Sequence, residues 1–486
     1  MSKFHSTVNR RDFMKGIGLA GAGLGAAAAT APVFHDLDEV MSSSYGEEAR
    51  PWWVTKRELM DPTQDVDWDI MKRYDRRDNA QNSNVETLFY GAEMEAARDM
   101  QNSVRDAHIS NQDDGYSLKQ QHFAAAYNRV RRAVSLNSGF VGIDPEESMA
   151  DTPEESGMPK WVGTPEENAK LFSAATRIFG GAYMGYAELD STWRNKLVIS
   201  HTTKTTARID FEDVDQGYAE KDPSGEMRER WVIPNKPMWA IAYGAPEALF
   251  STKTAPSLVS KPNQYGTLFM KALYTGMFNL LRSMGYQMIG DMGHQSMPLN
   301  AGATAVLTGI AESSRNNQYV LTPEAGPRIN HENVITDLPL APTPPIDAGI
   351  FKFCHTCGLC ADTCPGGWIN SDKEPSYDVG TYNGKPGIFH TPGPKNFWCD
   401  AAGCRMQFKR LGGRCHICYG VCPFNEGREA MMHNFVKATL STTSLFNGFF
   451  ANMSDMMGFG LQGKEEWWDQ TQPVFGLESE VFAKYR

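Results

Sequence analysis

Residues 354–365 read CHTCGLCADTCP, and this stretch decides how the C-terminal part of the chain folds. Residues 404–423 read CRMQFKRLGGRCHICYGVCP and end in the same C-x-x-C-x-x-x-C-P pattern. All nine cysteines of the 486-residue chain lie between Cys354 and Cys422. A disulfide framework would be spread along the chain, so this crowding predicts a metal-binding module.

The spacing of the two cysteine runs predicts two 4Fe–4S clusters. The first run has the pattern of bacterial two-cluster ferredoxins, in which the cysteine beside the proline binds the other cluster. Applied to both runs, this crossing rule predicts two ligand sets. The first set is Cys354, Cys357, Cys360 and Cys422, and the second set is Cys364, Cys404, Cys415 and Cys418.

The assignment leaves one cysteine, Cys399, without a partner. Either Cys399 or Cys404 can supply the first ligand of the second run, and we prefer Cys404. Zinc is the competing metal because C-x-x-C pairs often bind it. Zinc sites rarely carry two C-x-x-x-C-P endings, so the pattern favours iron–sulfur clusters.

The N-terminus has the features of an export signal. Arg10 and Arg11 precede an apolar run, rich in alanine and glycine, from Gly16 to Ala31. A twin arginine before such a run predicts a Tat signal peptide over residues 1–31. The run is too short for a membrane-spanning helix, so we expect no permanent anchor there.

The composition excludes several classes of protein. Hydrophobic residues make up 41% and charged residues 22%, which is the balance of a folded globular chain rather than a disordered one. The formal net charge is −11. A general nucleic-acid-binding protein needs a basic face, so this charge disfavours that class.

Helix signals indicate an α/β organisation in the middle of the chain. Thr164-Pro165-Glu166-Glu167 offers an N-cap, a proline at the first helical position and a glutamate at the third, and predicts a helix to Ile178. Apolar residues on one face predict a second helix from Leu268 to Met284, ended by Gly285. Residues 196–214 suggest strands, and short apolar runs at 303–310 and 334–338 fit buried strands.

We expect five segments in all. They are the signal at 1–31, a mixed helix and loop region at 32–165, an α/β core at 166–345, a ferredoxin-like two-cluster domain at 346–430, and a C-terminal extension at 431–486 that packs on the core. An electron carrier needs little besides its cysteines, whereas about 320 residues lie between the signal and the cysteine module. We therefore expect the clusters to serve a buried acceptor in the core.

Several of these segments together resemble the respiratory reductive dehalogenases. They are the Tat signal, the two cysteine runs, Arg282–Tyr286, Gly309–Pro327 and Thr336–Leu340. The resemblance is continuous from about Leu268 to Gly427 and loose before about Lys160. It implies an α/β (α+β) fold with a nitroreductase-like, corrinoid-binding core, reduced through the two clusters of a bacterial ferredoxin-like module.

The family resemblance also implies how the corrinoid is held. Family members bind it without a histidine on the cobalt, so no such ligand is expected here. The D-x-H-x-x-G corrinoid motif of methyltransferases is absent, because Asp291-Met292-Gly293-His294 does not fit it.

Three catalytic residues are carried over from the family. The resemblance implies that Tyr274 is the proton donor, Arg328 the cation that helps it release the proton, and Asn300 a polar pocket residue. A tyrosine stays protonated at neutral pH, and a guanidinium stabilises the phenolate that forms.

Alternatives to these residues remain open. Arg315 competes with Arg328, because relatives often have a basic residue where this chain has Asn330. Tyr265 and Tyr243 are the fallback donors.

The resemblance implies that the chain is the terminal reductase of organohalide respiration and removes halide from a small organohalide. We expect the exported protein on the outer face of the cytoplasmic membrane, with a small integral-membrane anchor protein and an upstream respiratory electron donor as partners. No nucleic-acid partner is expected. Chlorinated alkenes, alkanes and aromatics all remain open as substrates.

Two other functions share part of this sequence pattern. A relative of epoxyqueuosine reductase shares the corrinoid and two-cluster plan but acts on tRNA in the cytoplasm, which the signal and the acidic charge oppose. A ferredoxin-type electron-transfer subunit without its own chemistry would contain iron and sulfide but no cobalt.

Overall fold

The computed structural model describes residues 50–51, 53–133, 138–143, 149–203, 206–260, 266–291, 297–413, 415–425, 437, 439, 441 and 460–469. The predicted signal at 1–31 lies outside them. Within this part of the chain, no helix is long and apolar enough to cross a membrane.

The described residues form the following elements. The helices are α1 (Ser83–Ser110), α2 (Leu118–Ala133), α3 (Pro153–Ser156), α4 (Pro165–Ile178), α5 (Leu249–Lys253), α6 (Gly266–Met284), α7 (Ala301–Leu307), α8 (Ile350–Cys357), α9 (Leu359–Asp362), α10 (Ala401–Arg410) and α11 (Ile417–Gly420). The strands are β1 (Thr55–Lys56), β2 (Ser138–Gly139), β3 (Gly142–Ile143), β4 (Tyr183–Glu188), β5 (Arg208–Glu212), β6 (Tyr218–Lys221), β7 (Glu229–Pro234), β8 (Trp239–Pro246), β9 (Met288–Ile289), β10 (Ile329–Thr336), β11 (Ile346–Asp347), β12 (Thr381–Tyr382) and β13 (Lys385–Pro386). Short 3₁₀ turns lie at Arg76–Asp78, Pro423–Asn425 and Glu466–Asp469, and a π-helical turn lies at Trp193–Leu197.

A four-stranded antiparallel sheet forms the centre of the molecule, in the order β4-β8-β10-β9. In this register Tyr243 of β8 lies opposite Glu332 of β10, and Ile241 lies opposite Val334. All eight residues of β10 are buried. Such complete burial requires cover on both faces of the sheet.

The two faces of this sheet are covered by different helices. On one face, which we call the α6 face, Ile241, Tyr243 and Val334 pack with Leu273 and Tyr274 of α6. On the opposite face, which we call the α7 face, the apolar contacts come mainly from α7. The residues packed there are Ala182, Tyr183, Ala242, Ala305, Val306 and Ile329.

Both helices predicted from the sequence are confirmed. Thr164 and Glu167 form a full capping box at the start of α4, with Thr164 Oγ1 accepting from the Glu167 amide at 3.2 Å and Glu167 Oε2 accepting from the Thr164 amide at 2.9 Å. Helix α6 begins two residues before the predicted start, and Gly285 follows it with φ of +89°. That left-handed conformation favours glycine, so the predicted stop is also correct.

Two strand predictions need correction. The apolar run at 303–310 belongs largely to α7, because the Asn300 side chain caps a helix there by accepting from the Ala303 amide. Between 196 and 214, the described residues contain the end of the π-helical turn and one strand, β5. Short apolar runs carry no period that separates a strand from a buried helical turn, which explains both errors.

Sequence-distant segments pack together around the cysteine runs. Helix α1, from the predicted N-terminal region, packs along α10, which carries Cys404. The described residues 460–469 contact the start of α2, where Glu465 accepts hydrogen bonds from Gly115, Ser117 and Gln120. Residues of different predicted segments therefore pack against one another at these places.

Candidate active site

The thiols of each predicted ligand set are neighbours. Burial raises the pKa of the Cys360 thiol, and the nearby Cys354, Cys422 and Cys357 raise it further. These four residues are the first predicted set. All four approach one another although Cys422 lies 62 positions after Cys360 in the chain.

The second set is grouped in the same way. Burial raises the pKa of the Cys404 thiol to about 12, with added contributions from Cys415 and Cys364. Burial also raises the pKa of Cys418, whose thiol neighbours are Cys404, Cys415, Cys360 and Cys364. Because Cys360 belongs to the first set, the two sets approach each other at Cys360 and Cys418.

Among the described residues, no group of three or more His, Cys, Asp or Glu side chains is close enough to hold a single metal ion. An iron–sulfur cluster binds each thiolate through a different iron atom, so its ligands stand farther apart than the ligands of one ion. The grouped thiols of the C-terminal region fit iron–sulfur chemistry of this kind.

Cys399 and Cys404 differ in surroundings. Cys399 is 1% exposed and packs in a core cluster with Phe89 and Phe389. Its sulfur accepts a hydrogen bond from Gln318 Nε2 at 2.8 Å. Cys404 lies beside the other thiols of the second set. Cys399 also lies near Cys404, but Cys404 is the one with Cys415 and Cys364 as thiol neighbours. The ligand role of Cys404 stays a prediction.

The start of α10 positions Cys404. The Asp400 side chain caps this helix by accepting from the Gly403 amide at 2.7 Å. A β-carbon on Gly403 would lie 2.4 Å from the Trp368 ring, so glycine permits this close approach. The Trp368 amide in turn points at Cys364 Sγ, at 3.4 Å. Trp368 therefore contacts the segments that carry two ligands of the second set.

Arg315, the alternative catalytic cation, holds the first cysteine run. Its guanidinium donates to the carbonyls of Cys354 at 2.8 Å, Asn370 at 2.9 Å and Asp372 at 2.6 Å. It also lies 4.0 Å from the centroid of the Phe397 ring. With its donors committed to backbone carbonyls, Arg315 is placed to shape the ligand loop rather than to assist a proton donor.

A cavity lies on the α7 face of the sheet. Its walls come from six separate stretches of the chain, within residues 62–81, 196–203, 297–307, 313–320, 329–331 and 389–398. Side-chain amides are unusually frequent in its lining: Gln64, Asn79, Gln81, Asn300, Asn317, Gln318 and Asn396. Aromatic rings complete the walls: Trp68, Tyr74, Tyr319, Phe389 and Trp398. A large, flat ligand with peripheral amides matches this combination.

The structure places the three predicted catalytic residues in different surroundings. Asn300 lines the cavity. Tyr274 is fully buried on the α6 face, and its hydroxyl donates to the Gly290 carbonyl at 2.6 Å. Arg328 is also fully buried and donates to the Glu247 carbonyl at 2.9 Å. Neither Tyr274 nor Arg328 is among the described residues that line the cavity.

Of the three predicted catalytic residues, Asn300 is thus the one that lines this cavity, and the catalytic roles stay predictions. Tyr274 occupies a core position of α6, where burial and the carboxylates of Asp291 and Glu332 all raise its pKa. The fallback donor Tyr243 is on the same face, and its hydroxyl donates to Glu332 Oε2 at 2.9 Å. Spacing along the chain locates a residue on a helix but does not tell which face of the sheet that helix covers. The other fallback, Tyr265, lies outside the described residues.

Two cavity residues were missed by sequence reasoning. Tyr74 and Arg76 lie in the N-terminal region, where the family resemblance is loose. Burial raises the pKa of Tyr74, and the charge of Arg76 offsets part of that rise. Burial lowers the pKa of Arg76 to about 10, so its guanidinium stays charged at neutral pH. The run Tyr74-Asp75-Arg76-Arg77-Asp78 has the composition of an exposed segment, and nothing in it indicates that Arg76 is only 6% exposed.

Two tyrosine rings connect the cavity to the cysteines. Tyr319 lines the cavity and meets Tyr419 edge to face, with ring centroids 4.3 Å apart. Tyr419 follows Cys418 directly in α11. Burial raises the pKa of Tyr319, and Cys418 and Cys404 are among the charges that raise it further. The second ligand set is thus the one that these rings join to the cavity.

Comparison with known proteins identifies the family of this chain. Residues 49–340 match the family model described as reductive dehalogenase subunit. The chloroethene reductive dehalogenase of Dehalococcoides mccartyi (strain VS) is 30% identical over 98% of this chain and 99% of its own length. The trichloroethene reductive dehalogenase of Dehalococcoides mccartyi (strain 195) is 29% identical over 99% of this chain and 100% of its own length.

The fold has a solved counterpart. A reductive dehalogenase whose structure suggests a mechanism for B12-dependent dehalogenation superposes with a TM-score of 0.55 at 16% identity, over 88% of this chain. This chain spans about half of that longer protein, 51% of its length. The shared mixed α/β fold, the family match and the near full-length relatives lead to one conclusion. The chain belongs to the reductive dehalogenase family, whose members are oxidoreductases that act on carbon–halogen bonds.

Proposed function

We propose that this reductive dehalogenase uses a corrinoid and two 4Fe–4S clusters to remove halide from a small organohalide. The observation that carries the proposal is the amide-lined cavity on the α7 face, joined to the second cysteine set through Tyr319 and Tyr419. The two relatives above are named for chloroethene and trichloroethene. Short chlorinated alkenes are therefore the first substrates to test.

The cavity suits a corrinoid in both its polarity and its walls. A corrin ring carries amide side chains around its edge, and the amide residues of the cavity can pair with them in both directions, as donor and acceptor. When bound, the corrinoid supplies a cobalt centre that can be reduced far enough to break a carbon–halogen bond. The residues of the chain supply the pocket that orients it and excludes water.

Two histidines, His331 and His390, also line the cavity. His390 Nε2 donates to the Cys399 carbonyl at 2.7 Å, and burial lowers its pKa to about 4, so it stays neutral. That bond supports a structural role for the ring. The expectation that no histidine binds the cobalt remains part of the proposal.

Electrons are proposed to pass from the first ligand set to the second and then to the cavity. The approach of Cys360 to Cys418 supports the first step. The edge-to-face pair of Tyr319 and Tyr419 supports the second, because it fills the space between the thiols and the cavity with protein atoms. A packed path of this kind also keeps water away from a strongly reducing centre.

Replacing a carbon–halogen bond by a carbon–hydrogen bond consumes two electrons and one proton and releases a halide ion. We propose a tyrosine as the proton source, as the sequence indicates. Tyr274 and Tyr243 have their hydroxyls bonded to other buried groups on the α6 face. Of the three tyrosines named from the sequence, we therefore place Tyr265 first.

A cation is needed beside the site, because a phenolate or a halide in a dry pocket is costly without one. The sequence predicts Arg328 for this role. In the described cavity Arg76 is the guanidinium on the wall, so we propose that Arg76 provides this charge. Asn300 keeps its proposed place as a polar pocket residue.

Export by the Tat pathway and attachment to the outer face of the membrane are also proposed, with an integral-membrane anchor protein and a respiratory electron donor as partners. The support is Arg10-Arg11 before the apolar run. Replacing both arginines by lysine is expected to leave an unprocessed precursor inside the cell. Normal maturation of that variant would contradict export by this pathway.

The central test is the composition and turnover of the purified, reconstituted chain. We expect about eight iron atoms and eight sulfides per chain, together with bound cobalt, and chloride release from trichloroethene under reducing conditions. A Cys418→Ser variant is the matched control and should lose one cluster and the turnover. Full turnover without cobalt, or about four iron atoms in the fully loaded wild type, would contradict the proposal.

A further inference from the structure

Helix α10, which carries Cys404, is held by a buried ion cluster that involves a distant part of the chain. Glu86 of α1 is 2% exposed. Its carboxylate meets Arg405 at 3.2 Å and Lys409 at 2.9 Å, both on α10. It also meets Arg98 of α1 at 2.9 Å. One carboxylate thus binds three cations where the two helices cross.

Glu86 supplies the negative charge of this ion cluster. Hydrogen bonds from Lys409 and Arg98 lower the pKa of Glu86 despite its burial, so the carboxylate stays ionised. Lys409 is itself 7% exposed. A buried cation that loses its counter-charge is strongly destabilised. Removing the Glu86 charge would therefore push Arg405 and Lys409, and with them α10, away from α1.

A second contact from α1 reaches the other end of α10. The Tyr90 hydroxyl donates to the carboxylate of Asp400, the residue that caps α10. Tyr90 also meets the Trp368 ring edge to face at 5.8 Å, and the Trp368 amide points at Cys364 Sγ. Through Tyr90, helix α1 thus contacts Asp400 at the start of the helix that carries Cys404, and Trp368, whose amide points at Cys364.

We propose that Glu86 is a positioning residue for the second iron–sulfur cluster. By binding Arg405 and Lys409 it holds α10 so that Cys404 stands among Cys364, Cys415 and Cys418, and it balances the positive charge beside that cluster. The inference rests on the proposed function, because it assumes that these cysteines bind a cluster.

The proposal predicts an effect on one cluster only. Arg405 directly follows Cys404 in the chain. The positive charge of Arg405, once Glu86 no longer neutralises it, therefore acts at short range on the cluster held by the second set. Among the described residues, Glu86 forms its ion pairs with Arg98, Arg405 and Lys409, and none of these three is next to a cysteine of the first set. A cation left without its counter-charge favours the reduced, more negative state of a nearby cluster.

The experiment compares Glu86→Gln with Glu93→Gln in the reconstituted full-length chain. Glu93 also lies on α1 and pairs with Arg410 of α10 at 3.1 Å, but its side chain is 66% exposed. The two variants thus remove one charge each from the same helix pair, one buried and one exposed. Iron content gives the total number of clusters per chain, and a redox titration by electron paramagnetic resonance reports on the two clusters separately.

For Glu86→Gln we expect one cluster to be lost, or to be reduced at a more positive potential, while the other keeps its wild-type signal. Glu93→Gln should keep both signals. Wild-type signals from both clusters in a folded Glu86→Gln variant would overturn the proposal. Equal loss of both clusters would also overturn it, since Glu86 would then only hold the fold.

A second variant keeps the proposal testable if Glu86→Gln does not fold. Glu86→Asp retains the charge but withdraws the carboxylate by one methylene, so it cannot reach both Arg405 and Lys409 in the present geometry. We expect faster release of iron from one cluster to a chelator, with the other unchanged. Release at the wild-type rate from both clusters would overturn the positioning role. If the wild type itself binds no cluster, the proposed function fails instead.

Discussion

The two faces of the central sheet differ in chemistry although one set of strands builds both. On the α6 face, polar side chains such as Tyr274, Tyr243 and Glu332 are buried and bonded to the protein itself. On the α7 face, residues such as Asn300 and His331 line a cavity. Alternation along β10 sends neighbouring residues to opposite faces. Adjacent positions along β10 therefore place one side chain in the core and the next on the face of the candidate active site.

The prediction with the largest expected effect on turnover tests whether the tyrosines of the α6 face have only a structural role. We expect Tyr265→Phe to lower turnover by at least ~10², the lower bound for a positioned proton donor, with iron and cobalt contents unchanged. Tyr274→Phe should keep turnover near the wild-type value and cost about 1 kcal/mol of stability, because it removes one buried hydrogen bond. Chloride release and thermal unfolding are the measurements.

Variants of Tyr74 complete this comparison. Tyr74→Phe removes the phenol beside Arg76 on the cavity wall and should affect turnover less than Tyr265→Phe. A large loss for Tyr274→Phe, with cofactors intact, would instead assign the proton donor to the α6 face and restore the prediction made from the sequence.

A smaller effect is expected from a change in pH, which should alter the stability of the protein by ionising Glu312 in the loop after α7. Glu312 is buried and accepts hydrogen bonds from the Ala348 amide at 2.9 Å, the Ile350 amide at 3.1 Å and the Thr63 hydroxyl at 2.7 Å. Burial raises its pKa to about 7 from an ordinary 4.5. Protonated Glu312 therefore contributes to the stability of the folded protein. This contribution is fully present below pH 4.5 and is lost as the pH rises through 7.

The wild type should therefore lose about 1–3 kcal/mol of stability relative to Glu312→Gln between pH 5 and pH 8. Glutamine keeps an acceptor for the two amides but has no charge to bury. Thermal unfolding of both proteins at the two pH values measures the difference. A constant difference between them at both pH values would show that Glu312 ionises normally.

A matched pair of helix caps sharpens the comparison of the two faces. Asn300 caps α7 on the cavity side, and Thr164 caps α4 on the α6 face. Replacing either by alanine should cost about 1 kcal/mol of stability. Only Asn300→Ala should also weaken retention of the corrinoid during gel filtration, whereas equal retention in both variants would remove Asn300 from the site.

The smallest expected effect concerns Cys399. Cys399→Ser should leave the iron content unchanged, because that thiol is bonded to Gln318 and packed among aromatic rings. A serine hydroxyl can accept the same hydrogen bond, so little else should change. An iron content lowered by half would move the ligand role from Cys404 to Cys399.

Local patterns were enough to predict part of this structure. The capping box of Thr164 and Glu167 and the glycine after α6 act within one helical turn, so they can be recognised from neighbouring residues. The spacing of the cysteine runs also predicted which thiols lie together, because the crossing of Cys364 and Cys422 follows from the ferredoxin pattern. These thiols are neighbours in the structure, and their role as cluster ligands stays a prediction.

The cavity was not predictable in the same way. Its walls come from six distant stretches, and each residue is unremarkable in its own segment. Arg76 is buried only because residues far along the chain pack over it, and Tyr274 faces the core only because of how α6 lies on the sheet. Both facts depend on contacts between segments that are distant in the sequence, and the spacing of residues within one segment does not reveal such contacts.

Arg315 links two parts of the molecule mechanically. Its neighbours Ser313 and Ser314 line the cavity, while its own guanidinium is bonded to the carbonyls of Cys354, in the first cysteine run, and of Asn370 and Asp372, which follow that run. One short loop thus joins a wall of the cavity to the segment that carries the first cysteines. A movement of that segment would therefore be transmitted to the cavity wall.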